Sequence, residues 1–202
     1  MNPEEGYIKF ICHHENSGRV IPDAVYEKVN PIRTQLHSQG LIGIYPDGIG
    51  FGNISFRSAG EKEFFITGTA TGAYPVADPK HFALVNRWDI DNNTIWCKGP
   101  VKASSETMSH AAVYELLEEV SCVIHVHHLG LWKKLATAKH DNVASTPAHI
   151  PYGTPRMAMA LRTIIRNQPS CNVIRMAGHI EGIVAFGNTP MKTEATLLQL
   201  FD

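Results

Sequence analysis

Val123-Ile124-His125-Val126-His127 has the character of a buried strand: three β-branched residues, two imidazoles, and no glycine or proline. In a strand, side chains two apart share a face, so His125 and His127 project together. Two imidazoles at that spacing can hold one divalent cation, each at about 2.0–2.1 Å if the cation is zinc. They can equally be ordinary residues of a histidine-rich chain. His128 breaks the alternation and is expected on the opposite face.

Working outward, a third ligand is offered by Ala177-Gly178-His179, which follows a predicted strand at Val173–Arg175 and precedes another at Ile183–Phe186. Glycine beside histidine lets the backbone approach a site closely, although His179 taken singly reads as a turn residue. His140 and His149 lie in polar or proline-rich loops and are expected at the surface. A second cluster is Lys102-Ala103-Ser104-Ser105-Glu106, with His110 one helical turn beyond. Serines at a helix N-terminus suit a phosphate or carboxylate, and they suit a plain N-cap as well. A third is Phe51-Gly52-Asn53-Ile54-Ser55 together with Ile66-Thr67-Gly68-Thr69-Ala70-Thr71-Gly72, whose amides and hydroxyls can cradle an anion or simply form a turn. The glycines at 48, 50 and 52 do not match GxGxxG, and no Walker motif is present, which excludes a dinucleotide or P-loop site. A binuclear HxHxDH site would need aspartate where Leu129 stands.

Around these clusters, strands are predicted at Tyr7–Cys12, Leu41–Tyr45, Asn53–Arg57 and Glu63–Thr67, with a polar stretch at His13–Arg19. Asp89–Cys97 reads as a hairpin turning at Asp91-Asn92-Asn93. Val25, Val29, Ile32 and Leu36 mark one face of a helix that Pro31 should kink or divide and Gly40 should close. Asp78–Arg87 reads as a short helix or turn. Further helices are predicted at Ser105–Val120, with Ser105 as cap, and at Leu131–Ala138, Arg156–Asn167 and Thr193–Leu200. The elements mix without a regular βαβ period, which implies one α/β domain. The 202 residues are 44% apolar and 18% charged, with 18 Lys plus Arg against 19 Asp plus Glu. That composition excludes a disordered chain, and the net charge of −1 argues against a nucleic-acid or membrane partner. Four scattered cysteines without a CxxC pair, two acids in the opening MNPEEGY and no long apolar run give the expectation of a cytoplasmic protein with a small-molecule substrate.

In this order, Gly52-Asn53-Ile54-Ser55, Ile66-Thr67-Gly68-Thr69, Ser104-Ser105-Glu106 with His110, Ile124-His125-Val126-His127 and the segment from His179 to Gly187 resemble the motifs of the class II aldolase/adducin family. The resemblance covers about residues 23–187 of a single domain spanning 1–202, with 1–22 as an N-terminal extension. It implies a three-layer α/β/α sandwich with a central, largely antiparallel sheet, and a homo-oligomer, commonly a tetramer, with sites between subunits. It implies that His125, His127 and His179 bind Zn²⁺ or another divalent transition metal. Glu181, which stands directly before Gly182 where the family usually has histidine, is the alternative third ligand. Glu106 would be the catalytic acid/base, and Asn53, Thr69, Thr71, Gly72, Ser104 and Ser105 would hold a phosphate or its stand-in. The implied activity is cleavage of a small hydroxy-carbonyl compound through a metal-stabilised enediolate. Epimerisation or dehydration on the same fold, or a non-catalytic adducin-like module, are the alternatives.

Overall fold

Alternation of apolar side chains along the strands accounts for the layers of this protein, whose computed structural model describes residues 7–58, 60–137 and 139–201. In chain order the elements are β1 (Ile11–Asn16), α1 (Asp23–Ser38), β2 (Gly43–Ile44), β3 (Gly50–Phe51), β4 (Asn53–Phe56), β5 (Phe64–Thr67), β6 (Phe82–Asp89), β7 (Thr94–Gly99) and α2 (Thr107–Leu116). They continue with β8 (Cys122–His127), α3 (Leu129–Thr137), β9 (Val143–Ser145), α4 (Pro155–Asn167), β10 (Val173–Arg175), β11 (Gly182–Gly187) and α5 (Pro190–Leu198). Nine strands form one sheet in the order β1-β7-β6-β5-β4-β8-β11-β10-β9, and β2 pairs with β3 as a separate hairpin. Only the outermost pairs, β1 with β7 and β9 with β10, are parallel. The chain is thus an α/β protein with a large, mostly antiparallel central sheet.

Period-two alternation divides the core. On β8, Cys122, Ile124 and Val126 pack with Val29 and Leu36 of α1, Leu131 and Leu135 of α3 and Leu197 of α5. Val123, on the other face, packs with Met108 and Ala112 of α2 and Met157 and Leu161 of α4. Helices therefore cover both faces of the sheet. His125 and His127 share Val123's parity, so they look toward the α2/α4 side.

Several local expectations are corrected. Pro31 does not divide α1, which runs unbroken through it. Both Pro31 and Glu27 are exposed, so the carbonyl that loses its partner lies on the solvated side. Gly40 does close the helix: at φ +71° it lets the Leu41 amide reach back to Leu36 O at 2.9 Å. Asp78–Arg87 is mostly strand. Pro79–His81 forms a single 3₁₀ turn and β6 follows, buried on both faces from Phe82 to Val85. The N-terminal strand falls at residues 11–16, so part of the expected polar stretch is an edge strand. α2 is shorter than expected and Ser105 does not cap it; Glu106 occupies the N-cap position. Ala138, the expected last residue of α3, lies outside the described residues, as do residues 1–6 of the opening segment. The β6–β7 turn forms at the expected asparagines, with Asn93 at φ +50°. Among the described residues, no helix is long and apolar enough to cross a membrane.

Candidate metal centre

β8 lies between β4 and β11, with His125 opposite Asn53 on one side and Val184 on the other, and His127 opposite Gly182. A third imidazole enters from the turn between β10 and β11, where the His179 amide bonds Met176 O at 3.0 Å and Gly182 N returns to His179 O at 2.9 Å. The coordinating atoms of His125, His127 and His179 all lie within 4.8 Å of one another, and the three residues are only 1–3% exposed. Tyr152 stacks on His179 with ring centroids 4.4 Å apart.

The hydrogen bonds fix which nitrogens face inward. His125 Nδ1 donates to Ile183 O at 3.1 Å, since a carbonyl can only accept. The Tyr45 hydroxyl donates to Glu181 Oε2 at 2.7 Å, so its oxygen accepts from His127 Nδ1 at 2.8 Å. With both Nδ1 atoms protonated, the two Nε2 atoms point at each other 3.0 Å apart. Burial, followed by the neighbouring imidazoles, pushes both pKa values well below the ordinary histidine value, so the rings are neutral. Two lone pairs converging at that distance repel unless a cation lies between them. Nitrogens bound to one tetrahedral zinc stand about 3.3 Å apart, so the residues present fit a divalent metal.

Glu181 is placed differently from His179. Its carboxylate bonds Tyr45 at the outer side of His127, while its backbone sits at φ +72°. His128 also stands outside the triad: its Nδ1 accepts from Leu131 N at 3.0 Å and caps α3. His149 is exposed and His140 half-buried.

Beside His125 opens a cleft of about 180 Å³ whose lining brings together Asn53, Thr69, Thr71, Gly72, Ser104, Ser105 and Glu106. Asn53 Nδ2 donates to Ser104 Oγ at 3.0 Å. The segment carrying the serines is drawn to the threonine loop by Thr69 N bonding Lys102 O at 3.0 Å. Thr71 Oγ1 donates to Gly68 O at 2.7 Å, so this hydroxyl shapes the loop. Gly72 has no substitute, because a Cβ there would stand 2.0 Å from Gly43 O. The buried Glu106 carboxylate accepts from Ser109 Oγ at 2.8 Å through Oε2. His110 turns away from this group; its Nδ1 meets Ser55 Oγ at 2.7 Å, and burial holds its pKa down to about 3.

Three contributors escaped sequence reasoning. Arg33 of α1, 1% exposed, donates to Thr71 O, Tyr74 O and Pro75 O behind the threonine loop, and burial lowers its pKa to about 10. A charged residue one step from Ile32 on the apolar face of α1 was the available clue. Tyr45 and Tyr152 had none, because neither stands in a motif. No lysine or arginine is among the described residues lining the cleft.

Residues 47–200 match the Class II Aldolase and Adducin N-terminal domain, and the chain belongs to that family. Among curated proteins, it is similar to methylthioribulose-1-phosphate dehydratase of Leptospira interrogans, at 29% identity over 106 residues, 48% of this chain and 42% of that protein. The enzyme of the same name from Leptospira borgpetersenii is 35% identical over 82 residues, 39% of this chain and 32% of that one. The matches thus span less than half the length of these relatives. Among solved structures, an L-fuculose 1-phosphate aldolase superposes with a TM-score of 0.67 at 16% identity, covering 91% of this chain and 86% of that one. The L-fuculose-1-phosphate aldolase of Thermus thermophilus gives 0.60 at 17% identity, covering 87% and 88%. At these identities the likeness is one of fold.

Proposed function

We propose that this chain is a metal-dependent lyase that removes water from a small hydroxy-ketone carrying an anionic end. The observation that carries this reading is the convergence of the His125 and His127 Nε2 atoms, 3.0 Å apart, in a buried triad next to a cleft that also contains Glu106. His125, His127 and His179 would hold a divalent cation such as zinc, which when bound supplies Lewis acidity to a substrate carbonyl and hydroxyl.

The protein's own groups do the rest. Glu106, oriented by Ser109, takes the proton from the carbon beside the carbonyl. It delivers that proton to the departing β-hydroxyl, which leaves as water. Asn53, Ser104, Ser105 and the 69–72 loop would hold the anionic end through amides and hydroxyls. Arg33, behind that loop, contributes positive charge without touching the ligand. Elimination is favoured because the relatives similar in sequence are named as dehydratases, whereas the aldolases are alike in fold. Cleavage of a carbon–carbon bond with the same acid/base is the second reading.

A cytoplasmic setting is supported by four free cysteines. A homo-oligomer such as a tetramer is supported by exposed Ile44 and Ile180 beside Tyr45 and Glu181; a monomer by light scattering would count against it. The function is tested by giving metal-loaded protein methylthioribulose 1-phosphate and L-fuculose 1-phosphate and following each by NMR. Water loss from the first is expected. Aldehyde release from either supports cleavage instead, and a chain that carries no metal after purification in metal-supplemented buffer overturns both.

A further inference from the structure

Glu181 presents a paradox of backbone and side chain. It sits in the left-handed region at φ +72°, where a Cβ is crowded and glycine is the comfortable residue. Its main chain is committed there, because Glu181 O accepts from His128 N at 3.0 Å as β8 ends. A residue held in such a conformation is worth asking what its side chain does. Here the carboxylate reaches Tyr45, which is 136 residues away in sequence, and accepts its hydroxyl proton at 2.7 Å.

Tyr45 is itself well placed to pass that interaction on. It begins the tip of the β2–β3 hairpin, closed by Tyr45 N to Ile49 O at 2.8 Å and Gly48 N to Tyr45 O at 2.9 Å. Its ring rests on Phe51 with centroids 4.5 Å apart, and Phe51 in turn stacks on His127 at 5.5 Å. The hydroxyl oxygen, having given its proton to Glu181, is left with acceptor capacity only, and it is 2.8 Å from His127 Nδ1. The series therefore runs in one direction, from imidazole N–H to phenol to carboxylate.

We propose that Glu181 and Tyr45 are positioning residues for the metal centre: a carboxylate–phenol–imidazole relay that locks His127 in the Nδ1-protonated tautomer and strengthens Nε2 as a ligand. This rests on the metal reading above. The physical basis is general: a ligating imidazole whose other nitrogen donates toward a negative group is better oriented and a stronger electron donor. Here the negative group acts through an intervening phenol, and the ligand's partner comes from a hairpin whose residues 48–51 also border the cleft, so substrate-side and metal-side geometry share one hairpin.

The test measures Co²⁺ and Zn²⁺ dissociation constants by chelator competition, with thermal melting of the metal-free proteins alongside. Tyr45→Phe, which keeps the ring on Phe51, and Glu181→Gly are each expected to weaken metal binding about 10–100-fold. Glu181→Gln, which retains an acceptor oxygen without the charge, should fall between them and wild type. The Tyr45→Phe/Glu181→Gly double variant should lose no more than Tyr45→Phe alone, because the two act in series. A merely structural role would lower the melting temperature of the metal-free Glu181→Gly protein, whereas relief at φ +72° predicts no loss. If His127→Ala still binds metal as wild type does, both this inference and the metal reading fail. If His127→Ala loses the metal while Tyr45→Phe and Glu181→Gly bind as tightly as wild type, the relay alone is overturned. Additive losses in the double variant also overturn it.

Discussion

Replacing Gly182 with alanine drives a methyl group into the third imidazole. A Cβ on Gly182 would stand 2.8 Å from His179 Nδ1 and 2.9 Å from its Cγ, and ordinary contact begins at 3.4 Å. The ring must therefore retreat by about 0.6 Å, the shortfall to ordinary van der Waals contact. It has little room to do so, being buried and stacked on Tyr152. Metal sites tolerate ligand displacements of about 0.2 Å. The expected loss of metal affinity is thus at least that of removing an orienting partner, about 10–100-fold, or ~1.4–2.7 kcal/mol. In metal-free protein the same methyl overpacks the turn and costs about 1–3 kcal/mol. Chelator competition measures the first quantity and thermal melting with and without metal the second. A Gly182→Ala protein that melts lower without metal yet binds the cation as tightly as wild type would show that His179 is no ligand.

Glu106→Gln should retain metal while turnover falls by about 10²–10⁴-fold, the range of a lost general base; wild-type turnover would remove Glu106 from the chemistry. Arg33→Met leaves the buried Thr71 carbonyl and the more exposed Tyr74 and Pro75 carbonyls without their donor and should cost about 1–3 kcal/mol, lowering Tm by roughly 2–12 °C. An unchanged Tm would mean that the threonine loop holds itself. The pH dependence follows from burial. His110 titrates at about 3 in the folded chain against 6.5 unfolded, so its contribution is complete above pH 6.5 and is lost as pH falls toward 3. His125 and His127, also depressed by burial, act in the same sense in metal-free protein. Urea unfolding between pH 7.5 and 5 should show stability falling, by up to about 1.4 kcal/mol per pH unit for each such histidine. His110→Gln should flatten that slope by one histidine's share, and an identical slope would refute the assignment.

What could be read from the sequence divides by distance along the chain. The HxH strand was legible because alternation is local, and the structure keeps both rings on one face. The place of His179 beside the pair was legible because nearby glycines marked a close approach, whereas the turn of the Glu181 side chain to Tyr45 was not. The misread elements have physical reasons. Phe82–Val85 is buried on both faces, so it lacks the alternation that separates strand from helix. β1 is an edge strand with mostly open faces, so its histidines and glutamate read as loop. Ser105 failed as a cap because α2 starts one residue later, with Glu106 at the N-cap position, after a turn that Ser104 organises by accepting from Glu106 N through Oγ and from Thr107 N through its carbonyl. The Tyr45–Glu181 and Arg33–loop contacts join residues far apart in sequence, where no periodicity reaches.

Asn53, His125 and Val184 occupy one rung across β4, β8 and β11, with Gly182 and His127 on another. Backbone amides on these rungs, paired on both sides in mid-sheet, should be among the last to exchange with solvent. The segments that border the cleft, residues 48–52 and 68–72, include residues outside that ladder. Varying side chains there at positions that no glycine is required to fill, such as Ile49 and Thr69, should reshape the cleft while the imidazole pair on the ladder stays in place, so pocket shape and candidate metal centre are separable.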